Sequence, residues 1–245
     1  MRKPIAKISQ SDLENPTAKR AYNQQLFEEV APQYTRITRY MSFGRDQSWK
    51  KKLVNLLPDL STPACLDLAS GTGDLVLALH NRFPEASITA VDLSEHMLAI
   101  CRSRCHHVPN LEIREADMNA LQIPDASFDF ITGGYALRNS PDLPLTLRKI
   151  KRMLKPGGTA AFLDFSRSNN RILQCLQFGL LSFWGKLWGL LLHGNPNIYG
   201  YIAESLKSYP TRSELQTLFQ QAGLTIKQQK LLFFGFLEIM ILEKK

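Results

Sequence analysis

The stretch Ala64-Cys65-Leu66-Asp67-Leu68-Ala69-Ser70-Gly71-Thr72-Gly73-Asp74 decides the fold. A short apolar run ends on an acid and a leucine, small residues follow, and a helical pattern begins at Leu75. That order is a strand, a tight turn and a helix N-terminus, where α/β proteins seat nucleotide-like ligands. Glycine at 71 and 73 lets the backbone approach a ligand that a Cβ would hold off.

The same unit repeats downstream. Strands are predicted at 64–68, 88–91, 111–114, 128–132 and 159–165, the last entered through a turn at Pro156-Gly157-Gly158. Helices are predicted at about 73–82, from a Ser94 cap to about 104, and at 142–153. Such units demand right-handed crossovers, hence an α/β fold with a parallel sheet covered on both faces. Thr211 and Glu214 make a capping box for a helix ending at Ala222-Gly223, and 224–231 with 235–243 reads as a closing hairpin.

Upstream, residues 1–22 read as a flexible basic-polar arm, with Pro4 and Pro16 opposing regular structure. The rest, 23–245, reads as one domain, with 23–60 as an N-terminal helical lid and 166–210 as a substrate-side insertion. Within the lid, 19–30 is predicted helical with Leu26, Phe27 and Val30 inward. The helix at 47–57 is expected to turn Trp49, Leu53, Leu56 and Leu57 inward and its lysines outward. Residues 171–193 form the most apolar helix of the chain. Gln174, Gln177 and Lys186 interrupt it, so it reads as a covering or interfacial helix anchored by Phe178, Phe183, Trp184 and Trp188 rather than a span.

A chain of 245 residues, 44% hydrophobic, can bury a sizeable core. Its net charge of +8 points to an anionic neighbour, but no long basic run is present, so mild attraction to a membrane surface is expected and no nucleic acid. The 4 cysteines make no disulfide framework in a chain this long, and Met1 to Asn23 is polar, with no apolar h-region. Both features imply a cytoplasmic location, at most peripheral to a membrane. Cys101, Cys105, His106 and His107 look like a metal cluster, but both histidines fall at a helix end and no second ligand pair follows. No metal is expected.

Val76 stands where a dinucleotide fingerprint wants its third glycine, and no P-loop lysine follows. Asp92, with Leu93 beside it, ends the second strand and can accept hydrogen bonds from both ribose hydroxyls. Asp117 after the third strand can take an adenine amine, and Met118 can cover the ring. Ribose and adenine without a diphosphate indicate S-adenosyl-methionine, with Asp67 and the 71–73 turn facing its amino acid and sulfonium end.

Ala31-Pro32-Gln33-Tyr34, Met41-Ser42-Phe43-Gly44, Trp49-Lys50, Leu66 to Leu75, Leu137-Arg138-Asn139, Leu154 to Gly158 and Tyr201 to Ser205 followed by Pro210 carry a further resemblance. Together they resemble the ubiquinone/menaquinone-biosynthesis C-methyltransferase family over about residues 27–235. The resemblance implies a Rossmann-like class I methyltransferase with a mostly parallel seven-stranded sheet. It places cofactor contacts on Thr72, Asp92, Asp117, Met118 and Gly134, where the family usually has serine. It implies an apolar aromatic acceptor, a quinol such as demethylmenaquinol, demethylphylloquinol or a ubiquinone precursor, and it allows a homodimer.

For ring methylation a phenolic proton must leave. Arg138 is expected to stabilise the phenolate beside Tyr34, with Asp164, a glutamate in much of the family, as the base, directly or through water. Departures lie on the substrate side. Tyr34-Thr35-Arg36-Ile37-Thr38 replaces Tyr-Asp-x-x-Asn, Asp46-Gln47 replaces His-Arg, and Tyr199-Gly200-Tyr201 replaces Tyr-Arg-Tyr. They keep open a different small phenolic acceptor, methylated on carbon or oxygen, and a non-catalytic binding protein of the same fold.

Overall fold

The structure, a computed structural model, describes residues 5–245, so Pro4 lies outside it. Helices α1 (Gln10–Glu14), α2 (Pro16–Val30), α3 (Tyr34–Met41) and α4 (Asp46–Val54) come first. The alternating middle follows as β1 (Ala64–Leu68), α5 (Asp74–Arg82), β2 (Ser87–Asp92), α6 (Glu95–Arg104), β3 (Leu111–Glu115) and β4 (Phe128–Gly134). Next come the short α7 (Ala136–Asn139), α8 (Leu143–Met153) and β5 (Leu154–Phe165). The chain closes with α9 (Arg171–His193), α10 (Asn197–Ser208), α11 (Arg212–Gln221), β6 (Leu224–Leu232) and β7 (Leu237–Lys244).

The sheet has 7 strands in the order β3-β2-β1-β4-β5-β7-β6, and only β7 runs against the others. This is the mostly parallel sheet expected. Strand order reverses between β1 and β4, so the ends of these two strands diverge and leave a crevice above the glycine turn. The ladder between β4 and β5 jumps from Phe128–Leu154 to Phe130–Thr159, so Lys155 to Gly158 bulge out as the predicted turn.

Alternation along the strands feeds two core layers. Ala160, Phe162, Met240 and Leu242 pack with α8 and α11 on one face; Ala161, Leu163, Ile239 and Ile241 pack with α4 and α5 on the other. A third cluster joins the N-terminal helices to α10 through Leu26, Val30, Ile37, Ile198, Tyr199 and Tyr201.

Two expectations are corrected here. Residues 10–22 are helical, not a loose arm. Pro16 sits in the first turn of α2, where its missing N–H costs nothing, and Asn15 caps Thr17 and Ala18. Ile5, Ile8 and Leu13 are buried in the third cluster. On α4 the lysines do not all face outward, because Lys50 is buried between two acids.

Helix α9 lies against α10 at very short range. A Cβ on Gly185 would stand 2.3 Å from the carbonyl oxygen of Tyr199, and one on Gly189 2.6 Å from that of Asn195. Gly185 and Gly189 therefore make a contact face, while Gly179 meets nothing within 4 Å. That contact leaves Ile172, Leu173, Leu176, Leu180, Leu190 and Leu191 exposed on the outside.

Candidate functional site

The glycine turn is built as its sequence predicts. Gly71 has φ +54 and donates its N–H to Asp92 Oδ2 at 2.8 Å, while Asp92 Oδ1 takes the Ser94 N–H at 2.9 Å. Each carboxylate oxygen keeps a lone pair for a ligand hydroxyl. Burial raises Asp92 above its ordinary value, against the pull of these backbone donors.

Two narrow recesses flank the turn. One, of about 60 Å³, is lined by Gly71, Asp92, Leu93, Asp117, Met118 and Gly134 among others. The second, of about 20 Å³, lies between Asp67, Thr72, Asp74, Lys50, Tyr34 and Gly134. Asp67 accepts the Thr132 hydroxyl at 2.8 Å through Oδ1, and its buried Oδ2 has no partner. Burial pushes its carboxyl up to about 7, and Thr132 and Lys50 pull it back. A buried carboxylate oxygen without a protein partner, on a residue that lines a recess, suits a cationic ligand group.

Two assignments change in detail. Gly73 does not line either recess. It has φ +85, and a Cβ there would meet Cys105 Sγ at 2.7 Å and Cys101 Sγ at 2.8 Å, so it seats the start of α5 on the buried cysteines of α6. Thr72 lines the smaller recess, but its hydroxyl accepts from Arg104 at 2.9 Å. Arg104 also bonds the Thr72 carbonyl at 2.7 Å and pairs with Asp74 at 2.7 Å. A basic residue at a helix C-terminus gives no sequence signal for this role.

Helix α2 straps the nucleoside side. Lys19 donates to the Ser140 carbonyl at 2.6 Å, Asn23 to that of Asn139 at 2.8 Å, and Arg20 Nε to Asp117 Oδ2 at 2.7 Å. Asp117 also accepts the Asn119 N–H at 2.8 Å. It thus stands where an adenine amine would reach it, already shared with the strap.

A cavity of about 460 Å³ adjoins these recesses. Phe27, Tyr34, Tyr135 and Asn139 line both it and the nucleoside recess. Its remaining walls are mostly apolar: α2 and α3, Trp49, Phe183 and Trp184 of α9, Ile198 of α10, and the β6–β7 tip with Phe233, Phe234 and Phe236. Phe43 stacks on Trp184 at 5.4 Å, and Trp49 meets Phe233 at 5.7 Å. The one sequence signal for this wall is the aromatic run Phe233-Phe234-Gly235-Phe236 in the hairpin connection.

Arg138 lines this cavity from α7, with its guanidinium between the rings of Phe165 (5.1 Å) and Tyr201 (5.6 Å). It bonds Ser205, and its Nε lies 3.8 Å from Asp164 Oδ1. Asp164 is not in the cavity wall. It is fully buried, accepting the Arg138 N–H at 3.0 Å and the Phe165 N–H at 2.8 Å, and burial raises its carboxyl. It therefore positions Arg138 from behind and cannot touch an acceptor directly. Tyr34 borders all three spaces, and burial raises its phenol to about 12. His193 bonds the Tyr199 hydroxyl at 2.9 Å and does not line the cavity.

The comparisons agree with this geometry. The model of the ubiE/COQ5 methyltransferase family matches residues 16–241. A demethylmenaquinone methyltransferase of Thermus thermophilus is 34% identical over 218 residues, covering 88% of this chain and 98% of its own. A 2-phytyl-1,4-naphtoquinone methyltransferase of Thermosynechococcus vestitus is 35% identical over 226 residues, covering 90% and 98%. Among solved structures, a SAM dependent methyltransferase from Aquifex aeolicus aligns at TM-score 0.58 with 14% identity over 80% of this chain and 89% of its own. An S-adenosylmethionine dependent methyltransferase from Mesorhizobium loti aligns at TM-score 0.58 with 17% identity over 79% and 96%. These two share the fold, a Rossmann-like class I arrangement.

The donor set fits S-adenosyl-methionine. Asp92 would hold the ribose, Asp117 and Met118 the adenine, and the open oxygen of Asp67 the cationic amino acid end. Gly134 lines both recesses, and a Cβ there would make ordinary contact with Leu75 at 3.4 Å. The chain belongs to the ubiE/COQ5 methyltransferase family, and its cofactor is S-adenosyl-methionine.

Proposed function

We propose that the protein methylates a ring carbon of a hydroquinone with an apolar tail, most specifically a 2-prenyl-1,4-naphthohydroquinone. One observation carries this reading: an aromatic-walled cavity of about 460 Å³ shares Tyr34, Tyr135 and Asn139 with the cofactor recess and holds a single cationic side chain, Arg138, in its wall. The names of the relatives from Thermus and Thermosynechococcus supply the naphthoquinone class.

S-adenosyl-methionine, when bound, supplies an activated methyl on a sulfonium. The chain itself aligns the acceptor and excludes water. Flat rings at Phe27, Trp49, Phe165 and Phe233 suit a bicyclic aromatic. The Arg138 guanidinium stabilises oxyanion charge on the acceptor, held between two rings where the low dielectric strengthens its field. The reading is tested by comparing reduced and oxidised forms of one naphthoquinone under anaerobic conditions. Only the reduced form is expected to be turned over, and equal turnover of the oxidised form would overturn it.

The exposed apolar side of α9 lies beside the cavity, because Leu180 and Phe183 belong to both. Phe234, 95% exposed, stands at the same mouth. Helix α9 is long and apolar enough to cross a membrane, yet it packs on α10 by its glycines, so we read it as lying on a lipid surface from the cytoplasmic side. The charge of +8 favours an anionic bilayer, and a tail can pass from lipid to cavity without crossing water. Leu173→Glu with Leu176→Glu is expected to abolish flotation on anionic vesicles while turnover of a tail-less acceptor stays within about twofold. Unchanged flotation, or a wild-type homodimer that the double variant dissolves, would assign this face to another role.

A further inference from the structure

Removing a phenolic proton needs an acceptor for it, and among the described residues the wall of the large cavity contains no carboxylate and no histidine. One wall residue leads to a buried acid. Tyr135, half-buried, lines both the cavity and the cofactor recess and donates its hydroxyl to Asp46 Oδ1 at 2.7 Å. We propose that Tyr135 and Asp46 form a relay that takes the acceptor's phenolic proton, Tyr135 as the catalytic residue and Asp46 as the proton store behind it. The proposal rests on the hydroquinone reading above.

The pair is held on every side. Tyr135 follows β4 in the left-handed region, φ +60, fixed by its N–H to the Leu163 carbonyl at 2.7 Å and by its ring against Phe165 at 5.7 Å. A tyrosine is held there only by such contacts. Asp46, 2% exposed, receives Lys50 Nζ on Oδ2 at 2.6 Å, and its own N–H goes to the Ser42 hydroxyl at 3.1 Å.

Behind Asp46 stands a series of paired charges. Lys50 also binds Asp74 at 2.7 Å, and Asp74 binds Arg104 at 2.7 Å. This makes a series of acid, base, acid, base, buried up to Asp74 and ending on the part-exposed Arg104. If Asp46 takes a proton, Lys50 keeps Asp74 as its partner and no buried charge is stranded. Asp74 holds two cations, which with Lys50 first among them keep its carboxyl near 2 despite burial, so it stays ionised.

In the step, the acceptor O–H bond breaks and its electron pair stays on the acceptor oxygen. The proton passes to the Tyr135 oxygen while the proton of Tyr135 moves to Asp46 Oδ1. Asp46 ends as a neutral acid, Tyr135 is unchanged, and one negative charge has moved to the acceptor, where Arg138 meets it.

Tyr135→Phe removes one oxygen and keeps the ring, so folding is preserved. It should lower kcat on a 2-prenyl-1,4-naphthohydroquinone by about 10²-fold with the cofactor KM within about threefold. Asp46→Asn should do the same. A halogenated acceptor that ionises unaided should shrink the Tyr135→Phe deficit to under about fivefold. A second readout needs no turnover: 4-nitro-1-naphthol, whose anion absorbs at longer wavelength, should ionise at lower pH on the wild type than on Tyr135→Phe. Equal deficits with both acceptors, or identical ionisation of the bound naphthol, would overturn the relay. Failure of the wild type to methylate any hydroquinone, with the naphthol still ionised through Tyr135, would instead overturn the functional reading and leave the relay standing.

Discussion

Arg138→Ala is expected to reduce kcat by about 10³-fold while cofactor affinity stays within a few-fold. Charge-stabilising groups in dry sites carry effects of that size, and the Arg138 guanidinium is 4% exposed between Phe165 and Tyr201. The single variant also strands Asp164, fully buried and 3.8 Å from Arg138 Nε. Stranding one partner of a buried pair costs up to about 3–5 kcal/mol, while neutralising both can be nearly free. The double variant Arg138→Met with Asp164→Asn should therefore recover most of the thermal stability and remain inactive. Recovery of activity along with stability would make Arg138 a structural residue. Burial raises the Asp164 carboxyl above its ordinary value, and the Arg138 guanidinium together with the backbone donors of Arg138 and Phe165 opposes that rise.

Cofactor affinity is expected to fall about tenfold per pH unit below pH 7 and to level off above it. Burial raises the Asp67 carboxyl to about 7, so below that pH the ligand-free protein holds a proton where the cationic end of the cofactor must sit. Binding must expel that proton. The folding linkage has the opposite sense. A raised folded value favours the folded state fully below the ordinary value of 3.8, and that advantage is lost as pH rises through about 7. Ligand-free stability should therefore decline across this window and bound ligand should oppose the decline. Asp67→Asn should weaken binding about 100-fold at pH 8, the size expected for a lost buried ionic contact, and flatten the pH profile. Titration calorimetry in two buffers of different ionisation heat reads the released proton. Equal wild-type affinity at pH 6 and pH 8 would contradict the assignment.

Local pattern carried the strands and helices of the middle of the chain, because alternation and capping are written in adjacent residues. Ser94 caps α6 and Thr211 with Glu214 closes a capping box, both as read. The parts that escaped depend on partners far along the chain. Lys50 and Asp46 look like a solvated helix face until Asp74 and Tyr135 arrive from elsewhere to pair them. Pro16 reads as a breaker unless one knows that it stands in a first turn. Gly73 has the sequence of a ligand contact but the surroundings of a packing contact, which only the cysteines of α6 reveal. Asp164 sits at the expected strand end, and its side chain is spent on the backbone of α7. The placement of Asp67, Asp92, Asp117 and Met118 around the recesses was legible because the strand-end positions of β1, β2 and β3 fix it. The acceptor wall was not, since it is gathered from α2, α3, α9, α10 and the β6–β7 tip.

The most direct measurement of the central claim is the position of the transferred methyl. The purified protein is incubated with methyl-¹³C S-adenosyl-methionine and a reduced 2-prenyl-1,4-naphthoquinone, and the product is read by ¹³C NMR and mass spectrometry. The account predicts a single labelled methyl on the vacant ring carbon beside the prenyl group. A label on a phenolic oxygen, or no labelled product from a protein that binds the cofactor, would contradict it.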